Sequence, residues 1–183
     1  HTLISDAMFH LPTQPKRFVV LGGGYIGVEF ACILRGMGSE VTQILRGDKI
    51  LRGFDEDLRT EIQTGMEKHG IRFISNMKEI AIAKTEAGLQ LTVKSDTEEV
   101  IVADAVSLAA VGRAPNLENL GLENTKVEVV NGAIAVNPYS QTAEENIYAV
   151  GDCTDRMNLT PVAINEGRAL SDTHFGNTSR QMR

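Results

Sequence analysis

Gly22, Gly24 and Gly27 stand at G-x-G-x-x-G spacing directly behind the apolar run Phe18-Val-Val-Leu21. Glycines in that pattern suit a phosphate ligand. The first lets the chain turn tightly, the second lets the backbone approach a pyrophosphate with no Cβ in the way, and the third lets the next helix pack close to the strand. A helix opening near Tyr25 would offer its free N–H groups to the pyrophosphate, where the helix dipole favours negative charge. Arg46 and Arg52 follow the second expected strand, Glu40 to Leu45. In an NAD site an acidic residue near this point bonds the ribose 2′-OH. Here the segment ends Leu45-Arg46 with no carboxylate. Arginine meets phosphate through a planar fork of donors, so the pair fits a 2′-phosphate and hence NADPH, rather than two solvated surface cations. Each charge-assisted bond contributes about 1.5–3 kcal/mol. Two would favour NADPH by a factor on the order of 100 to 10,000. Asp48 and Lys49 lie in the same loop and are read as bystanders.

Those residues need a strand–turn–helix frame. Phe18 to Leu21 reads as a strand buried on both faces. The helix is expected from about Tyr25 to Met37, with Ile26, Phe30, Ile33, Leu34 and Met37 facing the sheet and Gly36 and Gly38 at its end. Phe54-Asp55 reads as a cap for a second helix reaching about His69, with Leu58, Ile62 and Met66 on one face and Gly70 ending it. Ile71 to Ser75 is a third strand, so the order implies a parallel sheet. Then the pattern changes. Met77 to Lys84, Leu89 to Val93 and Glu99 to Val102 form a three-stranded antiparallel meander, separated by Glu86-Ala-Gly88 and Lys94 to Thr97. Asp104 to Val111 returns to the parallel sheet. The expected class is therefore α/β, a Rossmann-like parallel sheet with helices on both faces and an inserted meander. Residues 1–15 read as an extended lead-in.

Gly112-Arg-Ala-Pro-Asn116 breaks the pattern and sets a boundary between residues 1–112 and 113–183. Beyond it, Gly132 to Val136 and Ile147 to Val150 read as short strands. Thr160-Pro161 leads into a helix from about Val162 to Phe175. Gly151-Asp152 follows a strand at once. That dipeptide fits an aspartate bonding a sugar hydroxyl and a plain turn aspartate equally well. The segment is too small to bury a core alone and reads as the second half of a domain.

The net charge of −6 over 183 residues argues against a nucleic-acid surface. No apolar run reaches membrane-span length. The N-terminus has neither an initiator Met nor the blocks of a signal peptide, so the chain is expected to begin within a longer protein. Cys32 and Cys153 lie far apart, without CxxC spacing, which fits a reducing compartment. Cys32 is expected to be core-facing or packed, and Cys153 to be a small strand-end residue. His1, His10, His69 and His174 form no metal-ligand pattern.

Five segments taken together resemble the pyridine nucleotide–disulfide oxidoreductases: Gly22 to Glu29, Leu45 to Asp55, Val111 to Asn116, Ile147 to Asp152 and Asn158 to Ala163. They span nearly the whole chain in that family's order. The Arg46/Arg52 pair and the run Thr154 to Pro161 resemble the glutathione-reducing members of plants and bacteria, and the trypanothione-reducing members are similar in the same stretches.

The resemblance implies an intact enzyme that passes reducing equivalents from NADPH to FAD, to a redox-active disulfide and to glutathione disulfide, in a homodimer. It implies that Gly23 and Ile26 contact the NADPH backbone and ribose, that Tyr25 covers the nicotinamide pocket, and that Glu29 lies beside it. Gly112 and Arg113 would close that site. Asp152 would bond the ribityl chain of FAD, Thr160 would contact the flavin region, and Asn158 would stand near the nicotinamide amide. Residues 113–183 would then be the second part of an FAD-binding domain. The family's upstream flavin glycines, its Cys-x4-Cys pair and its His–Glu acid/base pair have no counterpart in these 183 residues. No catalytic residue and no metal ligand is therefore assigned, and the chain alone is expected to be inactive. A free-standing NADPH-binding module is the competing expectation. The expected compartment is cytoplasmic, or an organelle such as the chloroplast if the parent carries a transit peptide.

Overall fold

The computed structural model describes residues 2–77, 79–86, 88–94, 98–103 and 106–181. His1, Lys78, Ala87, the expected turn at 95–97 and the start of the return strand at 104–105 lie outside the described residues. The chain divides into two compact units, His1–Gly112 and Arg113–Arg183.

The first unit opens with β1 (Thr2–Leu3) and a single helical turn α1 (Ser5–Met8). There follow β2 (Arg17–Leu21), α2 (Tyr25–Gly36), β3 (Glu40–Ile44), α3 (Glu56–Lys68) and β4 (Arg72–Ile74). The meander is β5 (Glu79–Thr85), β6 (Gly88–Lys94) and β7 (Glu98–Ala103), and β8 (Val106–Ala109) returns to the main sheet. The main sheet runs β1-β8-β2-β3-β4, every pairing parallel, with Val20 opposite Gln43 and Leu108. The meander is antiparallel throughout, with Leu91 facing Ile82 and Ile101 in register. The reading of residues 1–15 as a lead-in missed β1, which adds a parallel edge strand beside β8. Two residues carry too little periodicity to reveal a strand.

Alternation along β2 sorts the core into two layers. Phe18 and Val20 join Ala31 and Leu34 of α2, Met66 of α3 and Met8 of α1. Val19 and Leu21 join Ile44, Ile74 and the β6 residues Leu89, Leu91 and Val93. The α/β class and the inserted meander agree with expectation. What covers the second face does not: the helical core residues fall in the first layer, and the meander supplies the other. A sheet face needs apolar cover, and an antiparallel strand with period-2 patterning provides it as well as a helix does.

The helix faces also differ from expectation. In α2 the buried set is Gly27, Ala31 and Leu34, while Ile33 and Met37 are 53% and 59% exposed. The face at i, i+4, i+7 is centred on small residues because the helix lies close to β2. In α3, Leu58 and Ile62 are exposed and Met66 is buried. Its inward face runs 59–63–66 instead of 58–62–66. Asp55 does cap α3, accepting from the N–H groups of Asp57 and Leu58 at 3.1 and 3.2 Å, an arrangement worth about 1 kcal/mol. Cys32, expected to be packed, is exposed on α2.

The second unit contains β9 (Val129–Val130), β10 (Ala133–Ile134) and α4 (Thr160–Phe175), with a 3-10 turn over Gly151–Thr154. The β9–β10 hairpin turns through Asn131 and Gly132, both at positive φ, and the Asn-Gly pair is its sequence signal. The reading caught only the second strand of that hairpin. Ile147 to Val150 pairs at an isolated bridge, Tyr148 with Gln141, and does not extend into a ladder.

Candidate nucleotide and flavin site residues

The glycine turn sits at the carboxyl end of β2, between the exits of β3 and β8. Gly22 adopts φ +113°, and a Cβ there would lie 2.2 Å from the carbonyl oxygen of Ala110. Only glycine meets both conditions. A Cβ on Gly27 would lie 2.8 Å from the Gly22 oxygen and 3.2 Å from Val20, so α2 packs directly on the turn. Gly24 differs, because nothing stands within 4 Å of its would-be Cβ. Its bareness therefore leaves room beyond the backbone. Val28 makes the first helical bond, to Gly24 oxygen at 3.0 Å. The N–H groups of Tyr25, Ile26 and Gly27 precede that ladder and are positioned for an anion. Tyr25 and Glu29, one turn apart, are both exposed on α2, and Ile26 is half-buried.

A buried amide supports the turn from below. Gln43 of β3 is fully buried, and its Nε2 donates to Gly22 oxygen at 2.8 Å. Its Oε1 is buried without a hydrogen-bond partner among the described residues. Sequence reading passed over Gln43, and β3 reads Glu40-Val-Thr-Gln-Ile44, where one more polar residue gives no signal of burial.

The segment between β3 and α3 carries the cations. Lys49 is engaged by Glu56 and by the Thr60 hydroxyl. The Glu56 carboxyl is held below the usual carboxylate range, first by its hydrogen bond from Lys49, with the Arg59 charge adding to it. Arg59 of α3 bonds Glu56 at 2.6 Å and stands 3.8 Å from Asp48. Arg46 and Arg52 are exposed and have no hydrogen-bond or ion-pair partner among the described residues. The two arginines picked out from sequence are thus the free cations of this segment, and Asp48 and Lys49 serve the scaffold.

Gly112 follows β8 and is open, with nothing within 4 Å of its would-be Cβ. In the second unit, Asp152 lies in the 3-10 turn with its side chain 48% exposed and Arg113 3.7 Å away. Thr160 is the exposed first residue of α4. The turn bearing Asp152 is anchored by Glu166 of α4, which sequence reading missed. That carboxylate is buried, accepts from Gly151 N–H at 2.7 Å and pairs with Arg156 at 2.9 Å. Asn158 donates to Asp155 at 2.7 Å, and its own Oδ1 is buried without a partner among the described residues.

A cavity of about 650 Å³ lies away from the glycine turn, between α2 and α3, and includes Cys32, Arg35, Met66 and His69 in its walls. Its polar groups are already engaged. Arg35 donates to His69 oxygen at 2.7 Å and to Ser39 oxygen at 3.3 Å, and His69 Nδ1 meets Gly65 oxygen at 2.7 Å. The glycine edge, with unpaired N–H groups and free arginines, is the better ligand site. Among the described residues no cluster of His, Cys, Asp and Glu could hold a metal, and no helix is long and apolar enough to cross a membrane.

Residues 1–167 match the family model described as pyridine nucleotide-disulphide oxidoreductase. A glutathione reductase of Nostoc sp. is 56% identical over 98% of this chain and 41% of its own length. A trypanothione reductase of Leishmania donovani is 40% identical over 97% of this chain and 37% of its own. Among solved structures, the HOCl-induced flavoprotein disulfide reductase RclA of Escherichia coli superposes with a TM-score of 0.87 at 30% identity, over 98% of this chain and 41% of that one. The chain thus spans about two-fifths of the length of the relatives it matches.

Proposed function

This chain belongs to the pyridine nucleotide-disulphide oxidoreductases, and from that membership we propose that it is the NADPH-binding portion, with part of the FAD site, of a glutathione-disulfide reductase. The observation that carries the NADPH reading is the free state of Arg46 and Arg52 beside engaged Lys49 and Arg59. Two arginines left in solvent at the end of β3, with no carboxylate in the 2′-OH position, suit a 2′-phosphate.

The residues present fit a dinucleotide. Gly24 leaves the space a pyrophosphate needs, the opening N–H groups of α2 supply donors, and Gly22 and Gly23 shape the turn. Ile26 would meet the ribose. Tyr25 would cover the nicotinamide pocket and Glu29 would stand beside it. Gly112, and Arg113 after it, would close the site. In the second unit Asp152 and Thr160 would hold FAD, with residues 113–183 forming the second part of its domain. Half-exposed Asp152, on a turn braced by Glu166, suits an acceptor for sugar hydroxyls. When bound, NADPH and FAD supply the hydride and electron-pair chemistry. The task of this chain is to bind, orient and discriminate. The parent would act on glutathione disulfide as a homodimer. Two free cysteines suit a reducing compartment, cytoplasmic or organellar.

Titration of the full chain with NADPH and NADH in parallel, followed by nicotinamide fluorescence, tests the reading. NADPH should bind on the order of 100-fold tighter or more, and Arg46→Ala with Arg52→Ala should erase the difference. Equal affinities in the unaltered chain would overturn the arginine assignment. Turnover of glutathione disulfide against trypanothione disulfide by the parent enzyme decides between the two nearest substrates.

A further inference from the structure

Arg46 and Arg52 sit on a connection with no ladder of its own, yet its middle is fixed from two sides. The Ile50 N–H donates to Gln63 Oε1 at 3.2 Å, and the Ile50 carbonyl accepts from Arg59 Nε at 2.8 Å. Arg59 also reaches the Lys49 carbonyl at 3.4 Å. Arg59 and Gln63 are one turn apart on α3 and face the same way. From the other side, Leu51 N–H donates to Gly23 oxygen at 2.6 Å. A Cβ on Gly23 would lie 3.2 Å from Ile50 Cα, so the connection lies directly against the turn. Leu51 is held at φ +54°, a conformation that persists in a non-glycine residue only when its surroundings over-determine it.

We propose that Arg59 and Gln63 are positioning residues for 2′-phosphate selection. Through the Ile50 peptide they set the register of residues 46–52 against the glycine turn, so that both arginine forks reach one phosphate without first ordering the loop. Both side chains bond the backbone of the connection and act through it. The proposal rests on the NADPH reading and deepens it. Ordering a connection on binding would cost affinity, and a connection already ordered avoids that cost.

A clamp of purely structural value would, once loosened, lower stability and weaken NADPH and NADH alike. A positioning clamp weakens NADPH alone, because NADH has no 2′-phosphate for the arginines. Gln63→Leu removes the bond to Ile50, together with a 3.5 Å bond to Glu67 on the same helix, and no charge. Arg59→Lys keeps the charge and loses the fork, which separates geometry from long-range attraction. Each should reduce the NADPH-over-NADH preference of the full chain by about five- to tenfold, with NADH affinity within about twofold. Added to the Arg46→Ala and Arg52→Ala background, neither should have a further effect, as coupled residues require.

An unchanged preference in both variants would overturn the clamp, as would a parallel loss of both nucleotides. An unaltered chain without preference would instead overturn the NADPH reading itself. The two variants remove different bonds, so if one does not fold the other decides, and NADH binding reports a folded site in each.

Discussion

The side-chain amide of Gln43 donates to the carbonyl oxygen of Gly22 across 2.8 Å, from inside β3 to the turn at the end of β2. The bond holds one end of the amide, while the other end, Oε1, is buried without a partner among the described residues. Gln43→Leu removes a useful bond and an orphaned acceptor together. The two effects are of similar size, so unfolding in urea should show a change within about 1.5 kcal/mol. Gln43→Glu faces a buried carboxylate toward the Gly22 oxygen with no cation beside it, and should cost about 3 kcal/mol or more. Equal costs for the two variants would contradict this account.

Gly22 and Gly24 should separate stability from binding. Alanine at Gly22 meets both positive φ and a backbone oxygen at 2.2 Å, so Gly22→Ala should destabilise by about 3 kcal/mol or more. Gly24 has φ −73° and open space, so Gly24→Ala should stay within about 0.5 kcal/mol of the parent chain. On the proposed reading its Cβ would enter the open space left for a pyrophosphate. Calorimetry paired with NADPH titration checks both: Gly24→Ala should keep its melting temperature and lose at least about tenfold in affinity. Unimpaired NADPH binding by that variant would show that the phosphate lies elsewhere.

Glu166 braces the turn carrying Asp152. Glu166→Ala leaves the Gly151 N–H and the Arg156 guanidinium without their shared acceptor, and breaking a buried pair from one side costs about 3–5 kcal/mol. Arg156 is partly exposed and can turn to water, so the lower end is expected in denaturant unfolding of the second unit. Glu166→Gln retains an oxygen for the Gly151 N–H and should cost less than half as much. An alanine variant as stable as the parent would mean that the turn holds without its brace.

Cys32 is exposed as a residue, yet it lines the cavity between α2 and α3, and burial there pushes its thiol above the ordinary value. The thiolate is the reactive form. Iodoacetamide labelling followed by mass spectrometry should therefore be slow at neutral pH and should keep climbing beyond about pH 8.5, where an unshifted thiol is half ionised. A plateau below that pH would show that the thiol is activated instead.

Much of the site could be read from local sequence. The strand run before Gly22, the opening of α2, the Asp55 cap, the meander and the Pro161 helix start are features whose physics acts within about four residues. The hairpin at Asn131-Gly132 was equally legible and was half missed. The edge strand at Thr2–Leu3 was not legible, because two residues become a strand only when β8 lies alongside.

Local sequence specifies that a glycine turn joins a strand to a helix, that two arginines follow the next strand, and that an antiparallel meander interrupts a parallel sheet. Spacing, capping and alternation are written in neighbouring residues. Tertiary structure alone decided that α2 turns Gly27, Ala31 and Leu34 inward and leaves Ile33 outside, and that the meander takes the sheet face opposite the helices. It also decided that Gln43 supports Gly22, and that Arg59 and Gln63 grip Ile50 while Arg46 and Arg52 stay free. A helix has the same period whichever way it is rotated, and a polar side chain can bond many partners. Which face is buried, and which partner is met, depends on what the rest of the chain brings opposite.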